Sequence, residues 1–327
     1  STYRNSQFDR ELILENFDIL NKADIYSYPH LNFPMVLGGE SYEYIIITTE
    51  ALKSHFQDLV DFKESNGVTS TIMTIENITS NSGYWDETSL FNDTQAQIRN
   101  FIKYAYDNWD TIYVLLGGDT DVVPYRGLYV TDAGYIDSDM PSDLYYSCLD
   151  GNYNYDNDDK WAEPTDGEFG GDVDLLAEVY VGRAPVSNST EVSNFVNKTI
   201  WYQNETDAEY LLNIFMVGEH AGFGGVSEYS NITLDEIRYN STEHDYTTMG
   251  FTRFTETTGI NVSALYDADW EEYGWDSPYR GRNGWSNSNV ISIINNGSCE
   301  TGGFDVGGTH IINHLGHGNT GWVMKMS

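Results

Sequence analysis

From Tyr44 onward the chain alternates between short apolar runs and amphipathic stretches. YEYIIITTE is a continuous apolar run rich in β-branched residues and predicts a strand buried on both faces. ALKSHFQDLVDFKESNG follows, with Leu52, Phe56, Leu59, Val60 and Phe62 at helical spacing and a stop at Gly67. VTSTIMTI predicts a second strand. TQAQIRNFIKYAYDNW predicts a second helix, with Ile98, Ile102 and Ala105 on one face, and TIYVLLGGD a third strand that runs out into glycines and Asp119. This succession predicts parallel βαβ units, in which active groups collect at the carboxyl ends of the strands. AEVYVGRAP returns as a strand and residues 190–203 as a helix. A second α/β stretch opens with LLNIFMVGE and contains a helix over 290–295 and the strand THIINHLG. The expected organisation is an extended lead-in over 1–40, a first α/β subdomain over 41–206 and a second over 207–327.

Charge narrows the function classes. With 51 acidic against 16 basic residues, the formal net charge is −35. Nucleic-acid phosphates would be repelled, and the basic patch that anionic membranes require is missing. An acidic surface suits a medium whose cations screen or bind it. No apolar run reaches membrane-span length. The first residue is Ser1, which suggests a processed chain whose targeting segment has been removed. Asn-X-Ser/Thr occurs at Asn77, Asn92, Asn188, Asn197, Asn204, Asn231, Asn240, Asn261 and Asn296, which points to secretion through a glycosylating route. The two cysteines, Cys148 and Cys299, could form one disulfide, or one could pair with another chain.

Residues 132–174 are aromatic, acidic and aperiodic, and within them LDGNYNYDNDDKWAEP has the oxygen spacing of a calcium loop. Asn152, Asn154, Asp156, Asp158 and Glu163 occupy positions 1, 3, 5, 7 and 12 of an EF-hand-like frame, and Asp150 adds a nearby carboxylate. Asn157 stands where the sharp turn usually takes glycine, and asparagine tolerates that conformation. Lys160 at position 9 is a poor ligand, so water or another residue must substitute. The expected ion is a structural Ca²⁺.

His310, His314 and His317 form HxxxHxxH, but the β-branched setting reads as a strand, so a helical zinc site is not expected. His310 and His314 read as core or supporting residues. His317 differs because it ends the strand between Gly316 and Gly318, where a substrate backbone could approach closely. Glu219 ends the strand NIFMVGE and could stand at the same sheet edge to orient an imidazole.

Several motifs then line up in order: YEYIIITTE, TIYVLLGGDTDVVPY, SDLYYSCLDG, DLLAEVYVGRAPVS, FVNKTIWYQNE, VGEHAGFGG and IINHLGHGNTGW. Together they resemble the gingipain-type cysteine endopeptidases of caspase-like fold. The resemblance implies a three-layer α/β/α architecture with mostly parallel sheets in two side-by-side subdomains, the second incomplete in this chain. It also implies bound calcium, secretion with a removed propeptide, and a Cys–His dyad. It places the catalytic histidine at His317, its orienting carboxylate at Glu219 and an oxyanion donor at the Gly318 amide. The family's nucleophile lies on the strand after the histidine. Cys299 precedes His317 and does not match, so a second polypeptide from the same precursor is expected to carry that cysteine. The family's basic-residue pocket needs an acid soon after Glu219, where GGVSEYSN offers only Glu228, out of alignment. The competing expectation is a non-catalytic extracellular or cell-surface protein that kept the fold.

Overall fold

The computed structural model describes residues 41–132, 134–205, 209–220, 230–238, 260–267, 285–299, 302–304, 308–319 and 321–326. The chain divides into two compact units, Ser1–Asn204 and Glu205–Ser327. The expected lead-in over 1–40 and Glu228 lie outside the described residues.

In the first unit, the apolar runs form strands β1 (Tyr44–Thr48), β2 (Ser70–Thr74) and β3 (Tyr113–Gly117). A hairpin follows, β4 (Arg126–Asp132) with β5 (Tyr135–Ser142), and then β6 (Tyr180–Ala184). The main sheet runs β2-β1-β3-β6 and is parallel throughout. Period-two geometry sends alternate side chains to opposite faces. Ile45, Ile47, Val114 and Leu116 pack with Ile98, Phe101, Ile102 and Ala105 of the helix Thr94–Trp109. Ile46 and Leu115 face the other way, onto Phe56, Leu59, Val60, Val192 and Val196. Those last residues come from the helices Gln57–Ser65 and Ser189–Asn204 and the short turn before the first of them. Asp93 caps Thr94–Trp109 by accepting the Ala96 N–H at 2.8 Å.

The hairpin β4–β5 was not legible in the sequence, which predicts a long aperiodic loop there. On β5, Ile136 and Met140 remain 62% and 39% exposed, so that strand carries no apolar alternation, and on β4 one of the two buried side chains is the charged Arg126, beside Leu128. Buried arginines fix the remainder of the acidic segment. Arg99 donates to the carbonyls of Tyr145, Cys148, Asp150 and Gly151 at 2.8–3.0 Å. Arg126 forms a bidentate pair with Asp93 at 2.8 and 2.9 Å and lies over the Trp161 ring. Cys148 is a free, buried thiol in this core, and the side chain of Cys299 lies outside the described residues. Burial pushes the Cys148 pKa up to about 11, so it is a poor nucleophile.

In the second unit, β7 (Asn213–Gly218) is buried along its whole length. It pairs in parallel with β8 (Asn261–Tyr266), a strand the sequence reading missed. Beyond these come the short pair β9 (Ser298–Cys299) and β10 (Gly302–Gly303), then β11 (Ile311–Leu315). The sheet order is β11-β7-β8. Phe215, Val217 and Leu265 pack with Val290 and Ile293 of the helix Asn287–Asn296. On the other face, Ile214 and Met216 pack with Leu234 of the helix Ser230–Arg238. Each unit is thus a parallel sheet with helices on both faces, the expected three-layer α/β/α arrangement.

Candidate active site

The parallel register fixes the site. Leu315 lies opposite Gly218, so both strands end together and the next residues, Gly316 and Glu219, leave the sheet at its carboxyl edge. The Glu219 N–H donates to the Leu315 carbonyl at 2.9 Å, and the Glu219 carbonyl accepts from the Ser230 N–H at 3.2 Å. Glu219 is 4% exposed. Its carboxylate meets two histidines: Oε1 lies 3.2 Å from His314 Nε2, and Oε2 lies 3.3 Å from His317 Nδ1. The His317 main-chain N–H also donates to Oε2, at 3.2 Å. The His317 side chain is 49% exposed, so its carboxylate partner is buried while the ring reaches solvent.

Two of the three predicted catalytic residues, Glu219 and His317, are therefore in contact. Gly318, the third, opens the strand β12 (Gly318–Asn319), which pairs antiparallel with β13 (Trp322–Val323). His310 stands apart from the carboxylate: its Nδ1 lies 2.7 Å from the Leu211 carbonyl.

The sequence reading missed the rest of this edge. Gly316 is required because a Cβ there would lie 2.6 Å from both Cγ and Cδ of Glu219 and 2.7 Å from His314 Nε2. Asp267 follows β8 and accepts from the His220 N–H at 3.1 Å and from Lys325 Nζ at 2.8 Å. Trp285 donates its indole N–H to the Gly218 carbonyl at 2.8 Å, beneath the Lys325 ammonium. Asp267 was hidden in the sequence because β8 itself was not recognised.

In the first unit the structure brings together three of the six predicted calcium ligands. Carboxylate oxygens of Asp156, Asp158 and Glu163 lie within 4.8 Å of one another. Asn157 has φ +60°, the left-handed turn expected at that position. Tyr153 and Ala162 share this sign, at +67° and +65°. The other three candidates shape the loop itself. The buried Asn154 accepts the Asp158 N–H at 3.0 Å and donates to its carbonyl at 2.9 Å. Asn152 Oδ1 accepts the Asn154 N–H at 2.7 Å. The Asp150 main chain is held by Asp174 and Arg99. Lys160 reaches into the carboxylate group, 3.1 Å from Glu163 and 3.9 Å from Asp158, and its hydrogen bond to Glu163 raises its pKa. Asp166, absent from the sequence-based set, is fully buried and accepts the N–H groups of Tyr155 and Glu163 at 2.6 and 2.8 Å.

Of the sequon asparagines, Asn77, Asn188, Asn197, Asn204, Asn261 and Asn296 are exposed and Asn92 is half-buried. Asn240 lies outside the described residues, as does the side chain of Asn231. Among the described residues, no helix is long and apolar enough to cross a membrane.

The profile of peptidase family C25 matches residues 39–326. The chain belongs to peptidase family C25. An uncharacterized protein of Archaeoglobus fulgidus is 24% identical over 247 residues, 72% of this chain and 52% of that protein. Lys-gingipain W83 of Porphyromonas gingivalis is 25% identical over 213 residues, 60% of this chain and 10% of that protein. Among solved structures, the Arg-specific cysteine proteinase gingipain R superposes with a TM-score of 0.51 at 18% identity, covering 91% of this chain and 51% of that one. The complex of the RgpB pro- and mature domains of Porphyromonas gingivalis gives 0.50 at 19% identity, covering 86% and 49%. These two likenesses show the fold. This C25 chain spans about half the length of most of these relatives and a tenth of Lys-gingipain.

Proposed function

We propose that this chain is the histidine-bearing part of a secreted, calcium-stabilised cysteine endopeptidase. The observation that carries the reading is the buried Glu219 carboxylate against Nδ1 of the half-exposed His317, at the carboxyl edge of a parallel sheet. A carboxylate on Nδ1 favours the tautomer with hydrogen there, which leaves the lone pair that accepts a proton on Nε2. A cysteine thiol on the following strand would give its proton to His317 Nε2 and attack the scissile carbonyl carbon. His317 would return that proton to the leaving amine, and water would then hydrolyse the thioester. The Gly318 N–H, with the amide of the nucleophile, would face the developing oxyanion.

The edge strand supports a further strand beside His317. β11 is the outer strand of its sheet among the described residues, and Ile311, Ile312 and Leu315 are 46%, 37% and 39% exposed. An apolar edge strand open to pairing is a seat for another strand. In this reading a second polypeptide of the same precursor supplies that strand and its cysteine. Asp156, Asp158 and Glu163 would hold Ca²⁺, which would take over the place of the Lys160 ammonium and cross-link the acidic tip of a loop that Tyr153 and Trp161 anchor in the core. The exposed sequon asparagines and the acidic surface support secretion.

The test is peptide hydrolysis by the complete natural precursor and its His317→Ala variant. The reading requires activity that a thiol reagent blocks and that His317→Ala abolishes. An inactive complete protein with correct folding would favour the non-catalytic extracellular alternative.

A further inference from the structure

We propose that His314 is a positioning residue for His317, acting through the carboxylate that the two rings share. The proposal rests on the reading of His317 as the general base.

Glu219 has two oxygens, and the structure divides them. Oε2 takes the His317 ring and main-chain N–H, at 3.3 and 3.2 Å. Oε1 takes His314 Nε2, at 3.2 Å. A carboxylate held on one oxygen alone can swing about its last side-chain bond, so that the other oxygen no longer stays in the plane of its partner ring. A donor on Oε1 removes that freedom and keeps Oε2 aimed at His317 Nδ1. The geometry requires the His314 tautomer with hydrogen on Nε2, because an ionised carboxylate only accepts. Burial makes the contact consequential: Glu219 is 4% exposed and the His314 side chain 14%, so water has little access to replace a lost donor.

The backbone is built for this three-residue contact. His314 lies opposite Val217 in the parallel register and is still within β11, whereas His317 lies beyond its end. Gly316, between them, leaves the space that the Glu219 Cγ and Cδ and the His314 ring occupy. A side chain there would exclude one ring or the other. The contact that His314 makes here is with Glu219, and its effect passes through that carboxylate.

The test compares His314→Leu, which has no donor, with His314→Gln, whose Nε2 amide can donate to Oε1. The complete protein, labelled with nitrogen-15 in its histidine rings, reports the His317 tautomer by NMR, independently of activity. The wild type and His314→Gln should show hydrogen on His317 Nδ1, and His314→Leu a mixture of the two tautomers. In turnover, kcat should fall between ~10-fold and ~100-fold in His314→Leu, with KM little changed, and recover in His314→Gln. Should His314→Leu misfold, His314→Gln and His314→Asn decide the matter, since the shorter Asn amide cannot reach Oε1 as Gln does. An unchanged His317 tautomer in a folded variant without the donor overturns the proposal. A wild type that shows the tautomer effect but no peptidase activity overturns the catalytic reading and leaves the positioning intact.

Discussion

A Cβ added to Gly316 would stand 2.6 Å from the Glu219 carboxyl carbon. That single distance links the backbone of one strand end to the carboxylate of its neighbour. It also explains why the turn into His317 carries a glycine although no positive φ demands one.

Gly316→Ala should therefore disable the site without unfolding the unit. Displacing Glu219 from its buried seat should cost ~1–3 kcal/mol, the usual range for overpacking. Thermal denaturation measures that cost. Activity should fall much further than stability, because the His317 ring would lose its carboxylate.

Glu219→Gln preserves shape but removes the charge that favours hydrogen on His317 Nδ1. Loss of an orienting carboxylate should lower kcat by on the order of 10³–10⁴. Single-turnover kinetics on the complete protein checks this. A loss confined to KM would show that Glu219 shapes substrate binding instead.

Calcium should raise the melting temperature of the first unit, and a chelator should reverse the rise. At a hundredfold excess over its Kd, one bound ion stabilises by about 2.7 kcal/mol. Asp158→Asn should weaken the response. Lys160→Met should strengthen it, because the ammonium 3.1 Å from Glu163 would no longer compete. A melting temperature indifferent to calcium, with or without Lys160, would remove calcium from the account.

Stability should also depend on pH through a buried acidic cluster. Burial raises Glu178 from 4.5 to about 8, with Asp174 adding to it, and raises Asp174 from 3.8 to about 6. Both groups hold a proton more tightly folded than unfolded. Their contribution is complete below the unfolded values and is lost as pH rises through about 6 and then about 8. Lys103, lowered by burial from 10.5 to about 7, acts oppositely: its contribution is complete above 10.5 and is lost as pH falls through about 7. Glu178→Gln keeps an acceptor for the Leu149 N–H, which now donates to Glu178 at 2.6 Å. The variant should melt higher than wild type at pH 9 and nearly equal to it at pH 4.5. An offset of the same size at both pH values would show that the carboxyl's ionisation is not the cause.

The sequence carried those elements whose burial is periodic. Ile45, Ile46 and Ile47 announce a strand covered on both faces, and the helix Thr94–Trp109 matches its apolar spacing to the residue. The hairpin Arg126–Ser142 was invisible because side chains such as Ile136 stay in solvent. β8 was invisible because NVSALY is short and half polar. His317 and Glu219 were found by their places at strand ends and by family resemblance. His314 reads from the sequence as a core or supporting residue, but its partner Glu219 does not follow, since it depends on the β11-β7 register, which no local pattern encodes. The acidic loop shows the same boundary. Spacing identified Asp156, Asp158 and Glu163, but only tertiary structure shows Asn154 turned to the Asp158 backbone and Arg99 holding four carbonyls.

The central claim is that His317 activates a cysteine. The most direct measurement is labelling of the complete natural protein with a peptide bearing a thiol-reactive electrophile, read by intact mass and peptide mapping, in wild type and His317→Ala. The account expects one label on a cysteine that follows His317 in sequence, formed at a pH where ordinary thiols are protonated, and lost in His317→Ala. Labelling that is equal in both proteins, or that falls on Cys148 or Cys299, would contradict it.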